Sequence, residues 1–144
     1  MKKIYLDTSV LNVYLFERET ARFQATQKLF ELIRKGKFQA FISLHSPRET
    51  YVYCRANFPK AEVSHVFRLA LRKLLALDLE ILPLLTREKK SLWKSRLLIS
   101  DSSDVPHVSL ARISECDAIA TYDIHFKEVA DFISAFKPEE LIKA

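Results

Sequence analysis

Glycine is almost absent: Gly36 is the only one in 144 residues. A GxGxxG dinucleotide fingerprint and a GxxxxGK[ST] phosphate loop both need several glycines, so nucleotide binding by either route is excluded. Cysteine is nearly as scarce. Cys54 and Cys116 stand far apart with no CxxC pair, which argues against a zinc site or a redox motif. Both read as small buried hydrophobes. His45, His65, His107 and His125 are scattered, none three to five residues from another His or Cys, so no His/Cys metal site is spelled out. No apolar run approaches the roughly 18 residues of a membrane span. The opening "MKKIYLDTS" has no long apolar region and no small-residue cleavage site. The expectation is a cytoplasmic protein without a membrane partner. No linker, repeat or low-complexity stretch interrupts the chain, so a single domain over residues 1–144 is expected.

What is present suits a folded domain. Hydrophobic residues make up 49% and charged residues 28% of the chain, enough for a core and too apolar for disorder. The net charge of +5 favours a polyanionic partner such as nucleic acid.

Periodicity predicts strands alternating with helices. "KKIYLD" reads as a buried strand, and Thr8 to Phe16 as a helix. Thr20 to Lys35 is amphipathic, with Gly36 where a helix C-terminus wants one. "FQAFISL", residues 38–44, is strand-like, and Pro47 suits the first turn of a helix through Asn57. Lys60 to Ala76 carries one apolar stripe. "LEIL", 79–82, is a strand closed by Pro83, followed by a basic helix from Thr86 to Ile99. Ser102 or Ser103 caps a helix running to about Glu115, which leads into the strand "AIAT", 118–121. A short helix after Asp123, an edge strand near Ile133 to Phe136 and a turn from Pro138 complete the chain. This alternation implies an α/β sandwich with a mostly parallel sheet.

In such sheets ligands bind beyond the carboxyl ends of the strands. Asp7 ends the first strand and Asp123 follows "AIAT". The second strand leads to Glu49, and Asp104 opens the helix feeding "AIAT". Each acid also has a local explanation. Asp7 and Asp104 suit helix N-caps, worth about 1 kcal/mol each. Glu49 suits the first turn of a helix, and Asp123 suits a turn. Four carboxylates gathered at one sheet edge, however, repel each other unless a cation sits among them. Oxygen ligands without His or Cys select hard ions, Mg²⁺ or Mn²⁺.

Three segments resemble the PIN domain, the nuclease fold of VapC-type toxins. "IYLDTSVL" resembles its opening strand and acid. "ISLHSPRET", 42–50, resembles the strand-to-helix segment with a Ser six residues before the acid, here Ser43 and Glu49. "DVPHVSLARISECDAIATYDIHF", 104–126, resembles the closing block with its acid, helix, strand, Thr-x-Asp and Phe. "KPEELI", 137–142, resembles the Pro-containing tail. Val105-Pro106 follow Asp104 where the family usually has Ala, and Glu115-Cys116 stand near a frequent Gly. Asp101, in "DSSD", rivals Asp104, which fits the spacing better.

The resemblance implies a three-layer α/β/α sandwich and metal-dependent endoribonuclease activity. By it, Asp7, Glu49, Asp104 and Asp123 map onto the acidic catalytic and metal-binding positions, with Mg²⁺ or Mn²⁺ as cofactor. Thr8 or Ser9, and Thr121, would orient carboxylates or water, and Asp101 would support the site. An RNA substrate, a toxin–antitoxin setting, a small antitoxin partner and a homodimer are likewise implied. Separately, "REKKSLWKSR", 87–96, places Lys89, Lys90, Lys94 and Arg96 beside Trp93, residue types that neutralise phosphates and stack bases. The same pattern suits a helix with Trp93 in the core and its cations solvated. Tyr51 and Tyr53 fit core or dimer packing. A phosphatase of the haloacid-dehalogenase type needs a second Asp two residues after the first, where Ser9 stands. A receiver domain needs a paired acid motif and a late Lys that are not found. A catalytically silent PIN-like module that binds RNA or protein remains the alternative.

Overall fold

A computed structural model describes residues 2–97 and 102–143; Asp101 and Ile99 lie outside them. Five strands form one parallel sheet: β1 (Lys2–Leu6), β2 (Phe38–Ser43), β3 (Glu80–Leu82), β4 (Ala118–Ala120) and β5 (Ser134–Phe136), in the order β3-β2-β1-β4-β5. All four pairings are parallel, so the sheet is parallel throughout and not merely for the most part. β1 is central, and Ile4, Tyr5 and Leu6 are all buried, as expected for a strand covered on both faces.

The pleat sends alternate residues to two cores. Ile4 and Leu6 join Ala40, Ile42, Ala118 and Ala120 against α1 (Thr8–Phe16), α2 (Ala21–Arg34), α4 (Val63–Leu75) and α7 (Pro138–Leu141). Tyr5, Phe41 and Ile119 face the opposite way, against α6 (Val105–Ile113), with Trp93 of α5 (Arg87–Arg96) packed at its margin. Helices thus cover both faces in an α/β/α sandwich, while α3 (His45–Asn57) packs against α1 and α4.

Local signals place the helix ends. Thr20 accepts from Phe23 N at 3.3 Å to cap α2. Gly36 adopts φ +76°, and the bonds Gly36 N to Ile33 O (2.9 Å) and Lys37 N to Leu32 O (3.0 Å) close a Schellman motif. The end of α6 has the same pattern: Cys116 N donates to Ala111 O at 2.9 Å around Glu115, which takes φ +56°.

Several boundaries differ from expectation. The helix expected from Lys60 starts as a 3-10 turn, Lys60–Glu62, and becomes α-helical only at Val63. The basic helix expected to reach Ile99 stops at Arg96, because Leu97 turns to extended backbone and buries its side chain. Ser102 and Ser103 do not cap the next helix; they form a 3-10 turn with Asp104 that leads into α6.

Candidate active site

The strand order reverses direction between β1 and β4, and the crevice beyond their carboxyl ends is where α/β sheets bind ligands. Asp7 stands there. Its N–H donates to Ala120 O at 3.0 Å, so β1–β4 pairing runs up to the acid. Asp7 occupies the N-cap position of α1 yet makes no capping bond. Its Oδ2 instead accepts from the Ser9 hydroxyl at 2.7 Å and the Thr121 hydroxyl at 2.8 Å. Those two oxygens accept in turn from Tyr122 N (3.0 Å) and Asp123 N (2.9 Å). Both protons are thereby directed at one carboxylate oxygen. Among the described residues no hydrogen bond reaches Asp7 Oδ1, although the residue is only 5% exposed.

Asp104 is buried at the N-cap position of α6, also without a side-chain capping bond. Glu49 projects from α3 and binds Nε2 of His107, which is fully buried on α6. His107 Nδ1 lies 2.7 Å from Tyr5 Oη, and Tyr5 donates to Ser43 Oγ at 2.8 Å. Burial opposes charge on His107. The Glu49 hydrogen bond and the fields of Asp7, Glu49 and Asp104 outweigh it and raise the pKa. Tyr5 donates its proton to Ser43 and the Glu49 carboxylate accepts, so both ring nitrogens of His107 face acceptor atoms. Three of the expected acids, Asp7, Glu49 and Asp104, thus act electrostatically on His107, and Glu49 also bonds it directly. Tyr5 is pushed well above its ordinary pKa by burial, with Asp7 and Glu49 adding to the shift.

The remaining expected residues fall less centrally. Asp123 caps the 3-10 helix Ile124–Val129, accepting from His125 N at 2.9 Å, so its turn role is realised. It lies beside the other acids through Thr121, whose hydroxyl oxygen touches both Asp7 Oδ2 and Asp123 N. The Thr8 hydroxyl donates to Ser46 Oγ at 3.3 Å and makes no hydrogen bond to a carboxylate among the described residues. Asp101 lies outside the described residues. Lys89, Lys90, Lys94 and Arg96 are all exposed on α5. Lys90 comes nearest electrically, since its charge helps lower the pKa of His45. The largest cause of that shift is burial, followed by the field of His107. His45 Nε2 accepts from Leu85 N at 3.0 Å, tethering the segment before α5 to the start of α3. Trp93 is half-buried at the core margin, with the Arg96 guanidinium 5.7 Å from its ring centre.

Sequence reasoning passes over His107, whose partners lie 58 and 102 residues away. One signal is present in the sequence: His107 stands among the mostly apolar residues of "VPHVSLA", all of which the structure buries.

Carboxylates and hydroxyls are the donors a hard divalent cation takes, and Mg²⁺ is held by one or two carboxylates plus waters. Asp7 Oδ1 and buried Asp104 fit that requirement. Among the described residues no group of three or more His, Cys, Asp or Glu side chains is gathered closely enough to form a complete protein cage.

The family model for the PIN domain matches residues 3–125. No curated protein matches the chain. Among solved structures, similarity extends to VapBC2 from Rickettsia felis bound to a promoter DNA fragment (17% identity, 94% of this chain and 98% of the other, TM-score 0.70). It extends also to FitAcB from Neisseria gonorrhoeae (18% identity, 94% and 97%, TM-score 0.64). A third is VapC20 from Mycobacterium tuberculosis, a sarcin-ricin loop cleaving toxin (14% identity, 89% and 94%, TM-score 0.64). At these identities the likeness is one of fold. With the family model spanning most of the sequence, the chain belongs to the PIN-domain family.

Proposed function

We propose that this chain is a Mg²⁺- or Mn²⁺-dependent endoribonuclease, the toxin of a toxin–antitoxin pair, built as one PIN-like domain over residues 1–144. The observation that carries this reading is Asp7. It sits at a helix N-cap and caps nothing, held by Ser9 and Thr121 with one oxygen left to bind. A buried carboxylate arranged this way costs stability unless it serves a ligand. The cleavage of the sarcin-ricin loop by the fold relative VapC20 supports RNA as the substrate class.

In this reading Asp7 and Asp104 hold the cation, with Asp123 at the margin. The ion supplies charge neutralisation at the phosphate and acidifies water. The chain's residues do the rest. Ser9 and Thr121 fix the Asp7 carboxylate. His107 fixes Glu49, whose side chain is 37% exposed and so reaches solvent. Glu49 orients the attacking water and accepts its proton as a P–O bond forms and the ester P–O bond breaks. Exposed cations of α5, Lys90 foremost, bind the RNA backbone. Partnership with a small antitoxin, a homodimeric state and a cytoplasmic location belong to the same proposal. No helix of the described residues is long and apolar enough to cross a membrane.

The test is cleavage of a structured RNA mixture by wild type and Asp7→Asn, each with Mg²⁺, Mn²⁺ or EDTA. Metal-dependent cleavage lost in the variant is expected, by at least about 100-fold. Cleavage that survives EDTA, or that Asp7→Asn retains, would overturn the assignment. RNA binding without any cleavage, under either metal, would leave the silent-module reading.

A further inference from the structure

A second cleft adjoins the acids on their β5 side. It has a volume of 280 Å³, and its lining includes Asp123, Ile124, Lys127, Phe136, Lys137 and Glu140. The volume lies just under the range of about 300–1,000 Å³ typical of small-ligand pockets, which suits one unpaired nucleotide.

Three features mark it as more than surface. Ile124 is 66% and Phe136 39% exposed, two large apolar side chains that the core does not use. Lys127 and Lys137 have no acidic partner within ion-pair distance among the described residues. The acids in the lining are both committed to backbone: Asp123 accepts from His125 N, and Glu140 accepts from Lys137 N at 2.7 Å. The cleft is also rigidly placed. Phe136 C=O accepts from Thr121 N at 2.9 Å, and Thr121 in turn holds Asp7. Thr121 alone therefore links the Phe136 backbone to the Asp7 carboxylate.

We infer that this cleft is a nucleotide subsite of the RNA substrate, with an unpaired base stacked on Phe136 beside Ile124, and the adjoining phosphates neutralised by Lys127 and Lys137. Stacking on an exposed ring tolerates any base, and lysines without partners are the groups that release counterions on binding phosphate. The cleft would thus select single-stranded RNA at the cut site without dictating its sequence. This inference rests on the ribonuclease reading above.

The experiment measures binding of a mixed-sequence RNA hexamer by fluorescence anisotropy in EDTA, across a salt series, for wild type, Phe136→Ala, Phe136→Leu and the double variant Lys127→Ala/Lys137→Ala. Phe136→Leu keeps an apolar side chain on the edge strand and removes only the π-face, so it controls for misfolding. Both Phe136 variants should bind about 10-fold more weakly. The double lysine variant should lower the slope of log K against log salt by about 0.7–1.4. Wild-type affinity and slope in all three variants would overturn the subsite and leave the ribonuclease reading standing. A wild-type chain that neither binds the hexamer nor cleaves RNA with metal would overturn both readings.

Discussion

His107 Nε2 bonds the Glu49 carboxylate while its Nδ1 reaches Tyr5 Oη at 2.7 Å, so one buried ring joins helix α3 to the central strand. His107→Ala would leave a cavity and strip Tyr5 of a partner. A loss of about 2–4 kcal/mol is expected by urea unfolding in EDTA. His107→Gln, which keeps a donor towards Glu49, should recover part of it. A loss below about 1 kcal/mol for the alanine variant would show that the link is dispensable.

Two histidines shift in opposite directions, and this predicts the pH profile of stability. The His107 pKa is raised above its ordinary 6.5, against the opposition of burial. Its contribution is therefore complete below pH 6.5 and is lost as pH rises through the folded value. The His45 pKa is lowered below 6.5, chiefly by burial. Its contribution is present above pH 6.5 and is lost as pH falls through the folded value. Metal-free stability should peak near pH 6.5. His107→Gln should flatten the alkaline side and His45→Asn the side just acid of the peak. An unchanged profile in both variants would contradict the directions of both shifts.

Asp7→Asn should not melt lower than wild type in EDTA. Asp7 makes no side-chain cap bond to lose, and an amide oxygen at this position can still accept from the Ser9 and Thr121 hydroxyls. A drop of more than about 5 °C by thermal unfolding would show that Asp7 serves the fold.

Glu115→Gly should stabilise. Glu115 ends α6 at φ +56°, a region that costs a side-chain-bearing residue about 1–2 kcal/mol and glycine little. After the entropy glycine loses on folding, a gain of about 0.5–1 kcal/mol is expected, near 2–4 °C in Tm. No gain would mean that the Glu115 side chain makes a compensating interaction.

The two ends of α5 should differ in RNA binding. The charge of Lys90 is felt at His45, beside the acids, whereas Lys94 and Arg96 occupy the last turn. Lys89→Ala/Lys90→Ala should weaken binding more than Lys94→Ala/Arg96→Ala when both are titrated at the same salt. Equal losses would argue for diffuse attraction along the helix.

Most of the architecture was legible because it is written locally. Thr8 to Phe16 follows from an apolar run after Asp-Thr-Ser, and the end of α2 from Gly36. The boundaries that differ depend on tertiary contacts: Leu97 leaves its helix because its side chain is drawn into the core. Of the candidate site, Asp7 and Asp123 stand out in the sequence by following strands, but the groups that hold Asp7 and Glu49 do not. Ser9 and Thr121 share one oxygen of Asp7 across 112 residues, and His107 finds Tyr5 across 102, pairings that no local pattern encodes. Asp123 shows the converse, a residue whose modest local role as a cap is fully realised.

The tie between Tyr5 and His107 has a consequence for assembly. Tyr5 pairs in register with Phe41 and shares its face of the sheet. Side chains alternate along a strand, so a slip of β1 by one residue would swing Tyr5 into the opposite layer and carry Asp7 away from Ser9 and Thr121. Asp7 meets Ser9 and Thr121 only on a chain whose central strand is threaded correctly. The proposed chemistry therefore depends on correct threading, and a chain slipped by one residue would lack the arrangement it needs.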